Sequence, residues 1–265
     1  MVRSATLNVM VAAAQKAGRG LTRDFGEVEN LQVSVKGPSD FVTAADLRAE
    51  QVLRRELERA RPDYGFLLEE GGVVEGSDKR HRWIIDPLDG TTNFMHSVPL
   101  FAISVALERD GEIVAALVYN PVLDETFTAE RGGGAFFNNR RIRVAARRNL
   151  QDAVMTTGIP HLGRGDGGRF IADMRLAIPS LAGIRRTGSA ALDLAWTAAG
   201  RFDIFYENGL QPWDVAAGVL LVREAGGMAT DPDGRGNPLA TGNILAANGD
   251  LHGAFSRLLA DSRKA

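Results

Sequence analysis

Two aspartates three positions apart, Asp86 and Asp89, sit in the stretch Trp83-Ile-Ile-Asp-Pro-Leu-Asp-Gly-Thr-Thr-Asn-Phe94. The three apolar residues ahead of them read as the end of a buried strand. Pro87 fixes its own φ and biases Asp86 towards an extended backbone. Gly90 permits a tight turn or a close backbone approach. Thr91, Thr92 and Asn93 carry side chains that cap a helix, and the N–H groups at such an end favour an anion. One short segment thus offers two carboxylates for a cation beside backbone donors for a phosphate. Read alone, it fits an ordinary polar turn equally well, because Asp-Pro and Asp-Gly are common turn chemistry.

Further acids sit in comparable places. Tyr64 to Leu68 reads as a strand that ends in Glu69-Glu70-Gly71-Gly72, which by itself suits a solvated charge pair. Asp214 opens a helix, Trp213 to Ala225, after the loop Asn208-Gly-Leu-Gln-Pro-Trp. Asp46 lies in the first turn of a helix from Thr43 to about Ala60, where a carboxylate is favoured by the helix end alone. Taken together, Glu69, Asp86, Asp89 and Asp214 make an arrangement that repels itself unless cations lie among the acids. The donors are hard oxygens. The chain has no cysteine, and its 4 histidines show no zinc-ligand spacing, so the set selects Mg2+ over zinc. Two or more Mg2+ ions beside helix N-termini describe a phosphoryl-transfer site, in which metal activates water and stabilises the phosphate and leaving oxygens.

The rest of the chain must position these groups. It has 265 residues, 45% hydrophobic and 24% charged, enough for a large single domain or two halves sharing a core. A net charge of −2 gives no nucleic-acid footprint. Without cysteine there are no disulfides, thiolate metal sites or thiol nucleophile. No apolar run spans a bilayer and no signal-peptide pattern opens the chain, so a cytoplasmic protein without a membrane partner is expected. Thr6 to Leu21 reads as a helix closing near Gly18 and Gly20, and Leu31 to Lys36 as a short strand. Ser77 to His81 reads as a surface loop. From Phe101 to Val144 the pattern is an antiparallel meander, with a hairpin turn at Arg109-Asp110-Gly111 and a last strand at Ile142 to Val144. Gly132-Gly133-Gly134 lacks the Gly-Lys-Ser/Thr ending of a phosphate loop and reads as a turn. Residues 145 to 152 look like a connection. Beyond it strands and helices alternate: Ala153 to Thr157, a loop at Gly163 to Gly168, a helix Phe170 to Leu181, Ile184 to Arg186, and the helix Ala190 to Ala199. Phe202 to Tyr206, Met228 to Thr230, Ile244 to Ala247 and a terminal helix from Leu251 to Ser262 complete it. The expected organisation is an N-terminal half, residues 1–145, and a C-terminal α/β half, residues 146–265.

Asp86-Pro-Leu-Asp-Gly-Thr-Thr-Asn-Phe94 and Trp213-Asp-Val-Ala-Ala217 resemble the two signatures of the inositol monophosphatase family, among the lithium-sensitive, Mg2+-dependent phosphatases. The likeness takes in Lys36, Asp40-Phe-Val-Thr-Ala-Ala-Asp46, Glu69-Glu70, Gly188-Ser-Ala-Ala-Leu-Asp193 and Glu207 to Gly227. It implies a layered α/β sandwich, with an antiparallel N-terminal sheet between helix pairs and a smaller α/β half, usually as a homodimer. It implies that Glu69, Asp86 and the carbonyl of Leu88 hold one Mg2+, that Asp86, Asp89 and Asp214 hold a second, and that Glu69 with waters holds a looser third. Gly90 and Thr91 would offer N–H groups to the phosphate. Thr91, hydrogen-bonded to Asp46, would orient and deprotonate the attacking water, with Glu69 as the other candidate. Gly188, Ser189, Ala190 and Glu207 would line the substrate pocket alongside Asp214, and Glu207 would accept hydrogen bonds from polyol hydroxyls.

Leu68 departs from the glycine of many members, Gly71-Gly72 stands where serine is common, and Gln211 replaces a histidine found in some. The expected function is hydrolysis of inositol monophosphate. Histidinol phosphate, fructose 1,6-bisphosphate and 3′-phosphoadenosine 5′-phosphate are alternative substrates among relatives. A non-catalytic role beside the transcription machinery is a further alternative, for which Arg140, Arg141, Arg147 and Arg148 offer surface charge that also suits plain solvation.

Overall fold

The computed structural model describes residues 3–27, 33–37, 40–160, 165–234 and 236–262. Helix α1, Ala5–Phe25, starts where the Ser4 hydroxyl accepts the Leu7 N–H at 3.1 Å. Leu7, Met10, Ala14, Ala17 and Leu21 recur on its buried side. It does not close at Gly18 and Gly20. Gly18 is a packing residue, because a Cβ there would stand 2.7 Å from the Tyr119 ring. The helix continues to Phe25, whose ring lies 5.6 Å from Phe94 and 5.1 Å from Phe101. A hairpin of β1, Val33–Gly37, and β2, Asp40–Thr43, follows. Residues 31 and 32, expected to open this strand, lie outside the described residues. Helix α2, Ala44–Ala60, is capped by Thr43 and buries Ala49, Leu53 and Leu57 against α1 and the sheet below.

That sheet contains β3 (Tyr64–Leu68), β4 (Gly72–Val74), β5 (Asp78–Asp89), β6 (Ala102–Arg109), β7 (Glu112–Asn120), β8 (Glu125–Glu130), β9 (Gly134–Phe137) and β10 (Arg140–Arg141), with helix α3, Thr91–Met95, between β5 and β6. Among the described residues the strand order is β10-β9-β8-β7-β6-β5-β3-β4. Two expectations fail here. Residues 78–81 are the start of the long strand β5, pairing with β6 through His81 opposite Arg109, so their polarity reflects a solvent-facing strand end and not a loop. Residues 142–144 are not a strand; pairing ends at Arg141 opposite Phe136. The sheet is also mixed, since β3 runs parallel to β5.

Both faces of this sheet are covered. On β5, Trp83 and Ile85 join the cluster under α1 and α2, while Ile84 joins the opposite cluster; on β6, Ile103, Val105 and Leu107 alternate in the same way with Ala102 and Ala106. That burial explains why these strands are continuous apolar runs and not apolar-polar alternations. The second cluster is filled by α5, Ala190–Ala198, and α6, Pro212–Glu224, which also lie on the second sheet through Phe205, Ile244 and Ala246. The second sheet holds β11 (Val154–Thr157), β12 (Gly183–Arg185), β13 (Ile204–Glu207), β14 (Met228–Thr230) and β15 (Ile244–Ala247) in the order β12-β11-β13-β15-β14, with β12, β11 and β13 parallel. Helices α4, Gly167–Ala177, and α8, Gly249–Ser262, cover its outer face through Met174, Leu251 and Phe255. A proline-containing 3₁₀ turn at Ile178–Ser180 ends α4 earlier than Leu181, and a short α7, Pro238–Thr241, was not foreseen. The result is the expected layered α/β sandwich, five layers deep.

The layers meet closely. A Cβ on Gly218 of α6 would stand 2.4 Å from Leu194 Cβ on α5. Gly218→Ala should therefore destabilise the protein by about 1–3 kcal/mol despite the better helix propensity of alanine. A thermal melt checks this, and a wild-type midpoint would mean that the two helices part without strain.

Candidate active site

The parallel pairing of β3 with β5 places their C-terminal ends side by side. Leu68 pairs with Ile85, and Glu69 N donates to Ile85 O at 3.2 Å, so the residue after β3 lies beside Asp86. Asp86 is 2% exposed, and its Oδ1 accepts the Leu88 N–H at 2.9 Å. The β5–β6 register shifts between Asp86 and Asp89, which face Ser104 and Ala102. This bulge takes Pro87 out of the ladder, where its missing N–H is harmless, and re-aims the carboxylates. Gly90, not Thr91, precedes the short helix α3 as its cap; it has φ 100°, and a Cβ there would lie 2.9 Å from Leu100 O.

Helices α5 and α6 close on these strand ends through polar contacts. Asp89 Oδ2 accepts from the Ser189 hydroxyl at 2.6 Å and from Ala191 N at 2.7 Å, both at the start of α5. Asn93 Nδ2 donates to Leu100 O at 2.6 Å and to Thr187 O at 2.8 Å. Ser104 donates to Trp213 O at 3.1 Å, tying the start of α6 to β6. Asp214, in the first turn of α6, accepts the Gln211 N–H at 2.8 Å, so Gln211 serves here as a helix cap. Asp86, Asp89 and Asp214 consequently each offer an oxygen within 4.8 Å of the others. Burial, then the charges of Glu69, Asp89 and Asp214, push the Asp86 carboxyl well above its ordinary value. A buried all-oxygen cluster that resists its own ionisation fits a hard divalent cation.

Glu69, Asp86, Leu88, Asp89, Gly90, Thr91, Gly188, Ser189, Ala190, Glu207 and Asp214 all line one cavity between the halves. Asp46 does not. It is fully buried, and its Oδ2 accepts the Thr43 N–H at 2.9 Å together with the Thr43 hydroxyl, closing the capping box of α2. Its Oδ1 faces the Thr91 hydroxyl at 3.1 Å, so it reaches the cavity through Thr91. Burial raises the Asp46 carboxyl, and the Thr43 and Thr91 hydrogen bonds oppose that rise. Asp46 is thus both a helix-end acid and a partner of a cavity residue.

On the opposite wall, Gly188 has φ 92°, and a Cβ there would stand 2.8 Å from Arg186 Nη1 and 2.9 Å from Asn93 Nδ2. A Cβ on Gly158 would lie 2.0 Å from Glu207 Oε1, so this glycine makes room for that carboxylate. Beside Glu207, Tyr206 donates to Asp173 at 2.5 Å and accepts from Asn208 Nδ2 at 2.6 Å. Thr92, Ile159, Arg186, Asp193 and Leu210 also line the cavity, beyond the residues the sequence singled out for it. Thr92 left a signal as part of the Asp86 to Phe94 signature, and Asp193 as an acid within the apolar run Ala190 to Ala195. Burial pushes the Asp193 carboxyl up to about 7, against the hydrogen bond that the Thr187 hydroxyl donates to it at 2.6 Å.

The departures at the Glu69 turn are linked. Leu68 is buried at 1% exposure, and a Cβ on Gly71 would lie 2.9 Å from Leu68 Cδ1. The triple-glycine segment is a turn, and Glu224 accepts from Gly132 N at 2.8 Å and Gly134 N at 2.7 Å.

The model of the inositol monophosphatase family matches residues 3–264. The chain belongs to this family. An inositol-1-monophosphatase of Rhizobium meliloti (strain 1021) is 60% identical over 259 residues, covering 98% of this chain and 97% of the relative. The Nus factor SuhB of Escherichia coli (strain K12) is 45% identical over 242 residues, covering 91% of each. The crystal structure of extragenic suppressor protein suhB from Bartonella henselae superposes with a TM-score of 0.94 at 55% identity, covering 97% of this chain and 98% of that one. The chain is therefore an enzyme of the inositol monophosphatase family, and its fold is that of the family. No helix among the described residues is long and apolar enough to cross a membrane.

The carboxylate cluster yields a prediction about stability. Without metal, neutralising one acid should relieve repulsion, so in EDTA Asp214→Asn should be more stable than wild type, by about 1–3 kcal/mol at an effective dielectric near 20. Asp86 has a folded pKa above its unfolded one, so the folded state holds more protons and stability falls as pH rises through that interval. The variant has less of this rise, so its advantage should be larger at pH 7 than at pH 4, close to the ordinary carboxylate value of 3.8. Thermal melts at both values decide; a variant well below wild type would make Asp214 a structural hydrogen-bonding residue.

Proposed function

We propose that this chain is a Mg2+-dependent phosphomonoesterase that hydrolyses inositol monophosphate to inositol and phosphate. The observation that carries the reading is the convergence of Asp86, Asp89 and Asp214, from two distant parts of the chain, in a cavity shared with Glu69 and Glu207. Glu69, Asp86 and the Leu88 carbonyl would hold one ion, Asp86, Asp89 and Asp214 a second, and Glu69 a looser third. When bound, the ions lower the pKa of an attacking water and stabilise charge on the phosphate and the leaving oxygen.

The chain's own groups do the rest. Thr91 Oγ1 stands 3.1 Å from both Asp46 Oδ1 and Leu88 O, yet it has one proton. When that proton goes to Asp46, the Thr91 oxygen can accept from water and the Leu88 carbonyl is left for a cation. Burial makes Asp46 a better proton acceptor than an exposed aspartate. The N–H groups of Gly90 and Thr91 would hold the phosphate. Gly188, Ser189 and Ala190 would shape the pocket, and Glu207 would accept hydrogen bonds from the polyol. The proposal also carries a lithium-sensitive, cytoplasmic homodimer, on family likeness.

A second reading is a partner role in transcription, favoured by the Escherichia coli relative named a Nus factor. Two of the arginines considered for it are engaged within the chain: Arg147 with Asp203 at 3.0 Å and Arg148 with Asp250 at 3.3 Å. Partner capture by an inactive Asp89→Asn variant tests this reading.

Hydrolysis should require Mg2+ and be inhibited by Ca2+ and Li+; undiminished phosphate release in EDTA would remove the metal mechanism. A panel of inositol monophosphate, histidinol phosphate, fructose 1,6-bisphosphate and 3′-phosphoadenosine 5′-phosphate ranks the substrates. Glu207→Ala should cost about 1–3 kcal/mol more on inositol phosphate than on a simple aryl phosphate, as for a lost charge-assisted hydrogen bond. Equal losses in kcat/KM on both would show that Glu207 does not read the polyol.

A further inference from the structure

Helix α2 carries two buried carboxylates one turn apart, Asp46 and Glu50. Residues spaced i and i+4 share a helix face. Asp46 addresses Thr91. Glu50 lies outside the cavity, 7% exposed, and its Oε2 accepts the Glu70 N–H at 2.9 Å. A buried carboxylate is costly unless hydrogen bonds compensate it. Part of that compensation comes from the backbone of the residue next to Glu69.

The turn after β3 is held from three sides. Glu69 N is tied to Ile85 O, and Leu68 pairs with Gly72 in the short hairpin with β4. Glu50 supplies the third tie, from a different layer of the sandwich. Gly71 keeps that tie possible, because a Cβ there would stand 3.0 Å from Glu50 Oε1. The glycine is thus matched to two neighbours at once, Leu68 in the core and Glu50 on α2.

We propose that Glu50 is the positioning residue for Glu69. By holding Glu70 N, it fixes the turn that directs the Glu69 carboxylate at Asp86. Since Asp46 and Glu50 ride on one turn of α2, this helix sets the metal side and the water side of the site together. The inference rests on the metal reading proposed above.

The test is a Mg2+ titration of thermal stability, started from EDTA-treated protein, on wild type, Glu50→Ala, Glu50→Gln and Gly71→Ala, with kcat measured alongside. Glutamine still accepts from Glu70 N through its amide oxygen, so Glu50→Gln should keep the half-saturating Mg2+ concentration within about 3-fold of wild type. Residues that orient metal ligands typically cost about 10–100-fold in metal affinity when lost, so Glu50→Ala and Gly71→Ala should both raise that concentration by about 10-fold or more. If Glu50→Ala fails to fold in EDTA, the Gly71→Ala titration decides alone. Wild-type half-saturation in a folded Glu50→Ala or in Gly71→Ala would overturn the proposal, and so would Glu50→Gln behaving like Glu50→Ala. A wild type indifferent to Mg2+ would overturn the metal reading itself, and this inference with it.

Discussion

The site is governed by the repulsion of acids that the fold forces together. Asp86, Asp89 and Asp214 offer oxygens within 4.8 Å of one another, and Glu69 adds its charge to Asp86. In a partly dry cavity such an arrangement costs several kcal/mol unless opposite charge offsets it. Part of the offset is built into the backbone. Asp214 lies in the first turn of α6, Asp46 lies in the first turn of α2, and Asp89 accepts an N–H from the first turn of α5. Helix N-termini stabilise a nearby anion by about 0.3–1 kcal/mol each, more when partly buried. These contributions are smaller than the repulsion and leave the cluster short of positive charge.

That electrostatic design explains the layers. Placing α5 and α6 between the two sheets lets both helices begin at the ends of β5 and β6. Their flanks are then apolar on every side, as in Ala191, Leu194 and Ala195 or Val215, Val219 and Leu221. The same core cluster runs from Ile84 and Ala102 in the first sheet to Phe205 and Ala246 in the second. The two sheets therefore share one interior through α5 and α6, and polar contacts, Asp89 to Ser189 and Asn93 to Thr187, join the α3 region to the start of α5. A shift of one half against the other would break the core packing and the carboxylate geometry together.

Local features that look independent turn out to be coupled. Gly71 fits because Leu68 and Glu50 occupy the volume a side chain would need. Gly158 fits because Glu207 occupies its neighbourhood, and Gly132 and Gly134 offer N–H groups that Glu224 takes. Glu50, Glu207 and Glu224 are each near their glycine only in space.

The sequence by itself determined which acids converge on the cavity, the family and most of the elements. Pro, Gly and apolar periodicity act over a few residues, so Tyr64–Leu68, Met228–Thr230 and Ile244–Ala247 were legible as strands. It misread 78–81, because a strand end open to solvent has the composition of a loop, and 142–144, because an apolar run does not say whether a partner strand continues. Tertiary structure alone decided that β3 lies parallel to β5, which brings Glu69 to Asp86. It alone decided that Asp89 accepts the Ala191 N–H at the start of α5, that Arg186 and Asp193 line the cavity, and that Glu50 holds Glu70. These contacts join residues from 17 to 102 positions apart. Their partners are chosen by how the layers pack, and packing depends on shape and volume that no local stretch of residues encodes.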